Sequence, residues 1–274
     1  MAEGAPEGAL RIRAAFADAG RPLFMPYVMG GYPDLAASAE HAAAACAHAD
    51  MLELGIPFSD PLADGPTIQA AGQRALVGGT RPEDVIDIAA GLRGGPPVVL
   101  MTYVNVVLAA GPRAFMERAA RAGVAGVILP DLPIDEGADV REQARRAGIS
   151  MVPLAAPTTS DERLAAIGRV AEGFVYCVAV TGVTGGQVHV GDELRDFLAR
   201  ARSAIEVPLA VGFGIRTPED VAQIGAIADG VIVASELIRR IDAAPDPPAA
   251  AAEVAGFCEA AVAALRAAHA GAGA

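Results

Sequence analysis

Short runs of Val, Ile, Leu and Met alternate along the chain with longer stretches in which apolar residues recur every three or four positions. The short runs fall at 22–29, 49–54, 98–103, 124–130, 150–154, 173–178, 207–211 and 230–233, and their length and composition predict strands. Helical spacing fills the intervals at about 34–48, 81–93, 112–122, 134–147, 160–171, 191–203 and 217–227. A further helix at 8–19, marked by Leu10, Ile12, Ala15 and Phe16, precedes the first strand, and two more close the chain at about 235–242 and 248–268. Several boundaries carry start signals: Pro33-Asp34, Thr80-Arg81-Pro82-Glu83 and Thr217-Pro218-Glu219-Asp220.

Eight strands alternating with helices predict a (β/α)8 TIM barrel with an extra N-terminal helix and extra C-terminal helices. A doubly wound open sheet is the alternative, but no G-x-G-x-x-G follows the first strand. Neither a linker nor a break in composition divides the chain, so residues 1–274 read as one domain, with residues 1–7 and about 269–274 as disordered tails.

The length of 274 residues suits a barrel of about 250 residues. A net charge of −12 supplies no basic stripe for nucleic acid. Cys46, Cys177 and Cys258 are far apart and read as buried thiols in a reducing cytoplasm. The N-terminus lacks the basic and apolar regions of a secretory signal, and no uncharged run approaches the roughly 18 residues of a membrane span. The chain has no lysine, which excludes Schiff-base aldolase chemistry and covalently held pyridoxal phosphate. His41 and His48 share a helix face that reads as surface, and no metal-ligand cluster is present in the sequence.

Candidate chemistry concentrates at 51–69, MLELGIPFSDPLADGPTIQ. Glu53 interrupts an apolar strand; it is either a strand-end carboxylate that reaches solvent or a buried acid with a raised pKa. Asp60 and Asp64 follow in the loop, before a polar helix start at Pro66-Thr67. In a barrel, chemistry sits at the C-terminal ends of the strands. That rim collects Glu53, Asp64, Tyr103, Asn105, Asp131 and Tyr176. Asp131 also reads as a loop cap and Tyr27 as ordinary core, while Tyr103 and Asn105 read as organisers of their loop. Three segments suit an anion: glycine-bearing Gly182 to Gly186 and Gly212 to Gly214, and Ala234-Ser235 at a helix start.

LELGIPFSDPLADGPTIQ resembles the signature of the alpha subunit of tryptophan synthase. MPYVMGGYPD, MTYVN, PDLP, GVTG and GFGI extend the resemblance over nearly the whole chain. The resemblance implies cleavage of indole-3-glycerol phosphate to indole and glyceraldehyde 3-phosphate, without a cofactor. It also implies transfer of indole to a pyridoxal-phosphate beta subunit in an alpha2beta2 heterotetramer, with Pro57 to Asp60 at the contact. By the same resemblance, Glu53 is the general acid/base and Asp64 faces the indole N–H. Tyr176 lines the substrate pocket, Thr184 belongs to the closing loop, and Gly185, Gly214, Ala234 and Ser235 lie at the phosphate; Tyr27, on the first strand, reads either as a lining of the indole pocket or as ordinary core. Ala234 replaces a usual glycine, Val106 a common proline, and the closing loop lacks an arginine often found there. A stand-alone indole-3-glycerol phosphate lyase, and a non-catalytic subunit that only activates a beta-type partner, are the competing readings.

Overall fold

The apolar runs form parallel strands in a computed structural model that describes residues 4–178, 191–212 and 214–272. The strands are β1 (Leu23–Met29), β2 (Leu52–Gly55), β3 (Val98–Met101), β4 (Val124–Ile128), β5 (Ser150–Val152), β6 (Leu154–Ala155), β7 (Val175–Val178), β8 (Leu209–Gly212) and β9 (Gly230–Val233). Their order in the sheet is β5-β4-β3-β2-β1-β9-β8-β7-β6. The two edge pieces are consecutive in the chain and separated only by Pro153. This is the predicted fifth barrel strand, divided because proline has no N–H to give to the ladder. Its first half pairs with β4 and its second with β7, and Tyr176 N donates to Pro153 O at 3.0 Å. The sheet thereby closes on itself, as the barrel reading expects.

The helices are α1 (Glu7–Asp18), α2 (Leu35–Cys46), α3 (Pro66–Val77), α4 (Pro82–Gly91), α5 (Val104–Ala110), α6 (Pro112–Arg121), α7 (Ala138–Arg146), α8 (Asp161–Val170), α9 (Asp192–Arg202), α10 (Pro218–Gly225), α11 (Ser235–Ala243) and α12 (Pro247–Ala272). Two of the sequence start signals are visible as bonds. Asp34 caps α2 by accepting from Ala37 N at 2.9 Å, and Thr217 and Asp220 form a reciprocal box at α10. The short helix α5 was not expected from the sequence. The last helix continues through 269–272, a stretch read from the sequence as tail.

Two apolar clusters make the core. One lies between the sheet and the surrounding helices. The other is the barrel interior: Leu23, Met25, Met51, Val99, Phe174, Ala210 and Ile232 meet there, and Ile12 of α1 joins them. The extra N-terminal helix therefore closes one end of the barrel with Ile12, which is fully buried. Helix α12 is apolar and long enough, by length and composition, to cross a membrane. In this fold it packs along α2, α10 and α11 and buries Val254, Phe257, Cys258, Ala261 and Leu265. His41 departs from its surface reading: it lies with Ala37, Ser38, Ala42 and Ala45 on the buried side of α2. The imidazole is fully buried, and burial lowers its pKa.

Ile12→Ala should therefore cost about 2–4 kcal/mol, the range for a truncated core aliphatic, measured by urea unfolding. A loss below about 0.5 kcal/mol, typical of surface positions, would place Ile12 outside the core.

Candidate active site

Strand alternation places Glu53. With Met51 in the barrel interior, the residue two positions on points the same way, and Glu53 is 1% exposed. The register sets it beside Tyr27 of β1 and Val99 of β3. Its carboxyl is thus held at the C-terminal end of the barrel among apolar side chains, and Oε2 has no hydrogen-bond partner among the described residues. Burial pushes the Glu53 pKa up to about 8, with the nearby charge of Asp64 adding to the shift. The solvent-reaching alternative for this residue does not hold.

Above Glu53 opens a cavity of about 810 Å³. Its floor is the top of the barrel interior: Tyr27, Glu53, Met101, Ile128, Leu154, Tyr176, Gly212 and Ile232. One wall is the loop from Ala63 to Ile68, which brings in Asp64. The opposite side is made by Gly214, Ile215 and Arg216 after β8, and by Ala234, Ser235 and Arg239 where α11 begins.

Asp64 is held by its loop. Tyr103, at the end of β3 and buried, accepts a hydrogen bond from Ala63 N at 3.1 Å and bonds the Asp64 carboxylate. Phe58 stacks on the Tyr103 ring at 5.1 Å between centroids. Burial raises the Asp64 pKa to about 6, while the Tyr103 hydroxyl acts in the opposite direction by favouring the ionised form. The two acids are therefore separated in strength. Near neutral pH the cavity holds one protonated carboxyl and one carboxylate, an arrangement suited to proton transfer beside a developing positive charge.

The pocket tyrosines each require a glycine on the next strand. A Cβ on Gly55 would lie 2.0 Å from the Tyr27 hydroxyl, and one on Gly212 would lie 2.3 Å from the Tyr176 hydroxyl. Any larger residue would displace the ring from the cavity floor. Neither glycine's contact with a tyrosine was apparent from the sequence, where Gly55 reads as a turn and Gly212 as part of an anion-binding segment. Arg216 and Arg239 were also missed, because exposed charged residues, one in a loop and one within α11, leave no signal of a site.

Of the residues singled out in the sequence, Tyr27, Glu53, Asp64, Tyr176, Gly214, Ala234 and Ser235 come together in this cavity. Thr184 and Gly185 lie outside the described residues. Asp131 is not among the cavity residues; its Oδ1 accepts from Val104 N at 2.9 Å and so caps α5, which follows the preceding strand, rather than its own loop. Pro57 is buried and Asp60 is exposed on the same loop as Asp64.

Glu53 should carry a measurable stability cost. Its pKa is raised on folding from 4.5 to about 8, so its contribution is intact below pH 4.5 and lost as pH rises toward about 8. Glu53→Gln removes the proton that folding must retain. It should stabilise the chain at neutral pH by on the order of 2 kcal/mol and flatten the decline across that window, read from urea midpoints against pH. An unchanged decline in the variant would assign it to another group.

Comparison with known proteins places this site in a family. The family model for the tryptophan synthase alpha chain matches residues 14–266. The tryptophan synthase alpha chain of Carboxydothermus hydrogenoformans is 45% identical over 238 residues, covering 85% of this chain and 89% of the relative. That of Deinococcus radiodurans is 42% identical over 257 residues, covering 92% and 95%. Among solved structures, Mycobacterium tuberculosis tryptophan synthase superposes with a TM-score of 0.86 at 32% identity, covering 96% of this chain and 99% of that one. The Legionella pneumophila alpha chain gives 0.84 at 33% identity, covering 93% and 97%. The acids, the cavity and the barrel that holds them thus belong to a member of the tryptophan synthase alpha chain family.

Proposed function

We propose that the chain cleaves indole-3-glycerol phosphate to indole and glyceraldehyde 3-phosphate, as the alpha subunit of a cytoplasmic tryptophan synthase. The observation that carries this reading is the unequal carboxyl pair, Glu53 and Asp64, facing one cavity.

The chemistry is a retro-aldol cleavage in which protons are conserved. Protonated Glu53 delivers its proton to C3 of the indole ring. The ring becomes an indoleninium, and ionised Asp64 stabilises it at the ring N–H. Glu53, now a carboxylate, removes the proton from the hydroxyl on the carbon attached to the ring. The electrons of that O–H bond form the aldehyde carbonyl as the bond between this carbon and C3 breaks, and the electrons of the broken bond restore the aromatic indole. Glu53 ends the cycle protonated, as it began. Tyr27 and Tyr176 bound the indole on the cavity floor. Gly214, Ala234 and Ser235 receive the phosphate at the opposite end, where α11 starts and its N–H groups point outward. Thr184 and Gly185 are assigned to the loop that covers substrate on the strength of the resemblance alone.

No cofactor enters these steps, and the pyridoxal phosphate of the complete reaction belongs to the beta subunit. The partner's seat is proposed on the rim around Pro57 and Asp60. Leu62, 91% exposed on that loop, and Leu108, 52% exposed on α5, are apolar groups that a partner would cover. The same loop carries Asp64, so docking there bears directly on the catalytic carboxylate.

Purified chain should release indole slowly alone and many-fold faster with a tryptophan synthase beta chain; fast release alone would favour a stand-alone lyase. Glu53→Gln should abolish release while a glycerol-phosphate analogue still binds, and near wild-type turnover would sink the acid/base role. The pH profile of kcat/KM should be bell-shaped. Its acidic limb near 6 corresponds to ionisation of Asp64 and its basic limb near 8 to loss of the Glu53 proton. Tyr103→Phe should move only the acidic limb, upward.

A further inference from the structure

The cavity carries two carboxyl groups, and its proposed substrate brings a phosphate dianion into a chain of net charge −12. Such a ligand needs local positive charge, and the chain has no lysine to give it. Two arginines line the cavity among the described residues, Arg216 and Arg239. Arg239 is already paired: its Nη1 lies 2.9 Å from Oε2 of Glu236, in the first turn of α11, whose other oxygen binds Arg240 at 3.0 Å. Left unpaired, Glu236 would compete with phosphate for the positive end of that helix. The charge of Arg239 therefore goes to cancelling a carboxylate.

Arg216 differs. Its guanidinium makes no hydrogen bond, ion pair or ring contact with any described residue, although its backbone is firmly held. Arg216 N and Thr217 N both donate to Oδ2 of Asp220, at 2.9 and 3.0 Å, and Asp220 is itself buried at the start of α10. The side chain thus starts from a rigid point two residues after Gly214, on the phosphate side of the cavity, with its planar fork available.

Resting on the functional reading above, we propose that Arg216 is a phosphate-binding residue of this chain. It supplies the side-chain counter-charge that the backbone N–H groups at Gly214 and Ser235 lack. An exposed guanidinium acts through salt-screened attraction and a bidentate bond to phosphate oxygens, so its contribution is strongest at low ionic strength.

The test compares wild type, Arg216→Gln and Arg216→Lys, each assembled with a beta chain, at low and high salt. Arg216→Gln should raise KM for indole-3-glycerol phosphate about three- to tenfold at low salt, with kcat little changed. The gap should narrow at high salt, and Arg216→Lys should recover most of the loss. Calorimetric titration of the chain with glycerol 3-phosphate should show the same order of affinities. That binding measurement does not depend on cleavage, so a wild-type complex that releases no indole would overturn the functional reading while still testing Arg216. Equal glycerol 3-phosphate affinity in wild type and Arg216→Gln, or a difference unaffected by salt, would overturn the assignment of Arg216.

Discussion

The site depends on one energetically costly placement, a carboxyl group inside the barrel. Strand β2 sends Met51 and Glu53 to the same side, and pairing to β1 and β3 holds Glu53 in the barrel with only 1% of it exposed, at the floor of the cavity. Burial of an ionised carboxylate there costs several kcal/mol, so the group keeps its proton instead. What weakens the fold at neutral pH is what creates a general acid with a pKa near 8. The rest of the cavity is arranged around that proton. Asp64 stays the stronger acid because its loop is less enclosed and because Tyr103 gives it a hydrogen bond. The glycines at 55 and 212 keep the flanking tyrosine rings in the floor.

The loop from Gly55 to Gly65 joins the catalytic and docking parts of the molecule. It begins at the end of the strand that carries Glu53, passes through exposed Asp60 and Leu62, and returns to the cavity with Asp64. Its anchor is the aromatic pair Phe58 and Tyr103, supported from the neighbouring loop by Asp131 on Val104 N. A partner that presses on the rim acts on a segment whose far end holds a catalytic carboxylate, which gives assembly a short physical path to activity.

Much of this was legible in the sequence because alternation and helical spacing are local signals. All eight barrel strands could be placed, as could the extra helix whose Ile12 fills the barrel's end. The split of the fifth strand at Pro153 needed the closed sheet to become visible, since its two halves bond to different neighbours. Helix α5 was missed because it is only seven residues long and its Asn105, with Tyr103 just before it, reads as a turn residue. His41 was misread because the alanine-rich α2 has weak facial asymmetry, so its buried side is not marked in its own sequence. The cavity acids and Ser235 were found by strand-end position and motif. Gly55, Arg216 and Arg239 were not, nor was the packing of Gly212 against Tyr176, because these roles are defined by contacts between segments far apart in the chain.

The most direct measurement is the titration of Glu53 itself, followed through its side-chain carboxyl carbon by NMR, with Glu53→Gln identifying the resonance. The account predicts a midpoint near 8, with the proton still bound at neutral pH. A midpoint near 4.5, the ordinary value for an exposed glutamate, would contradict it.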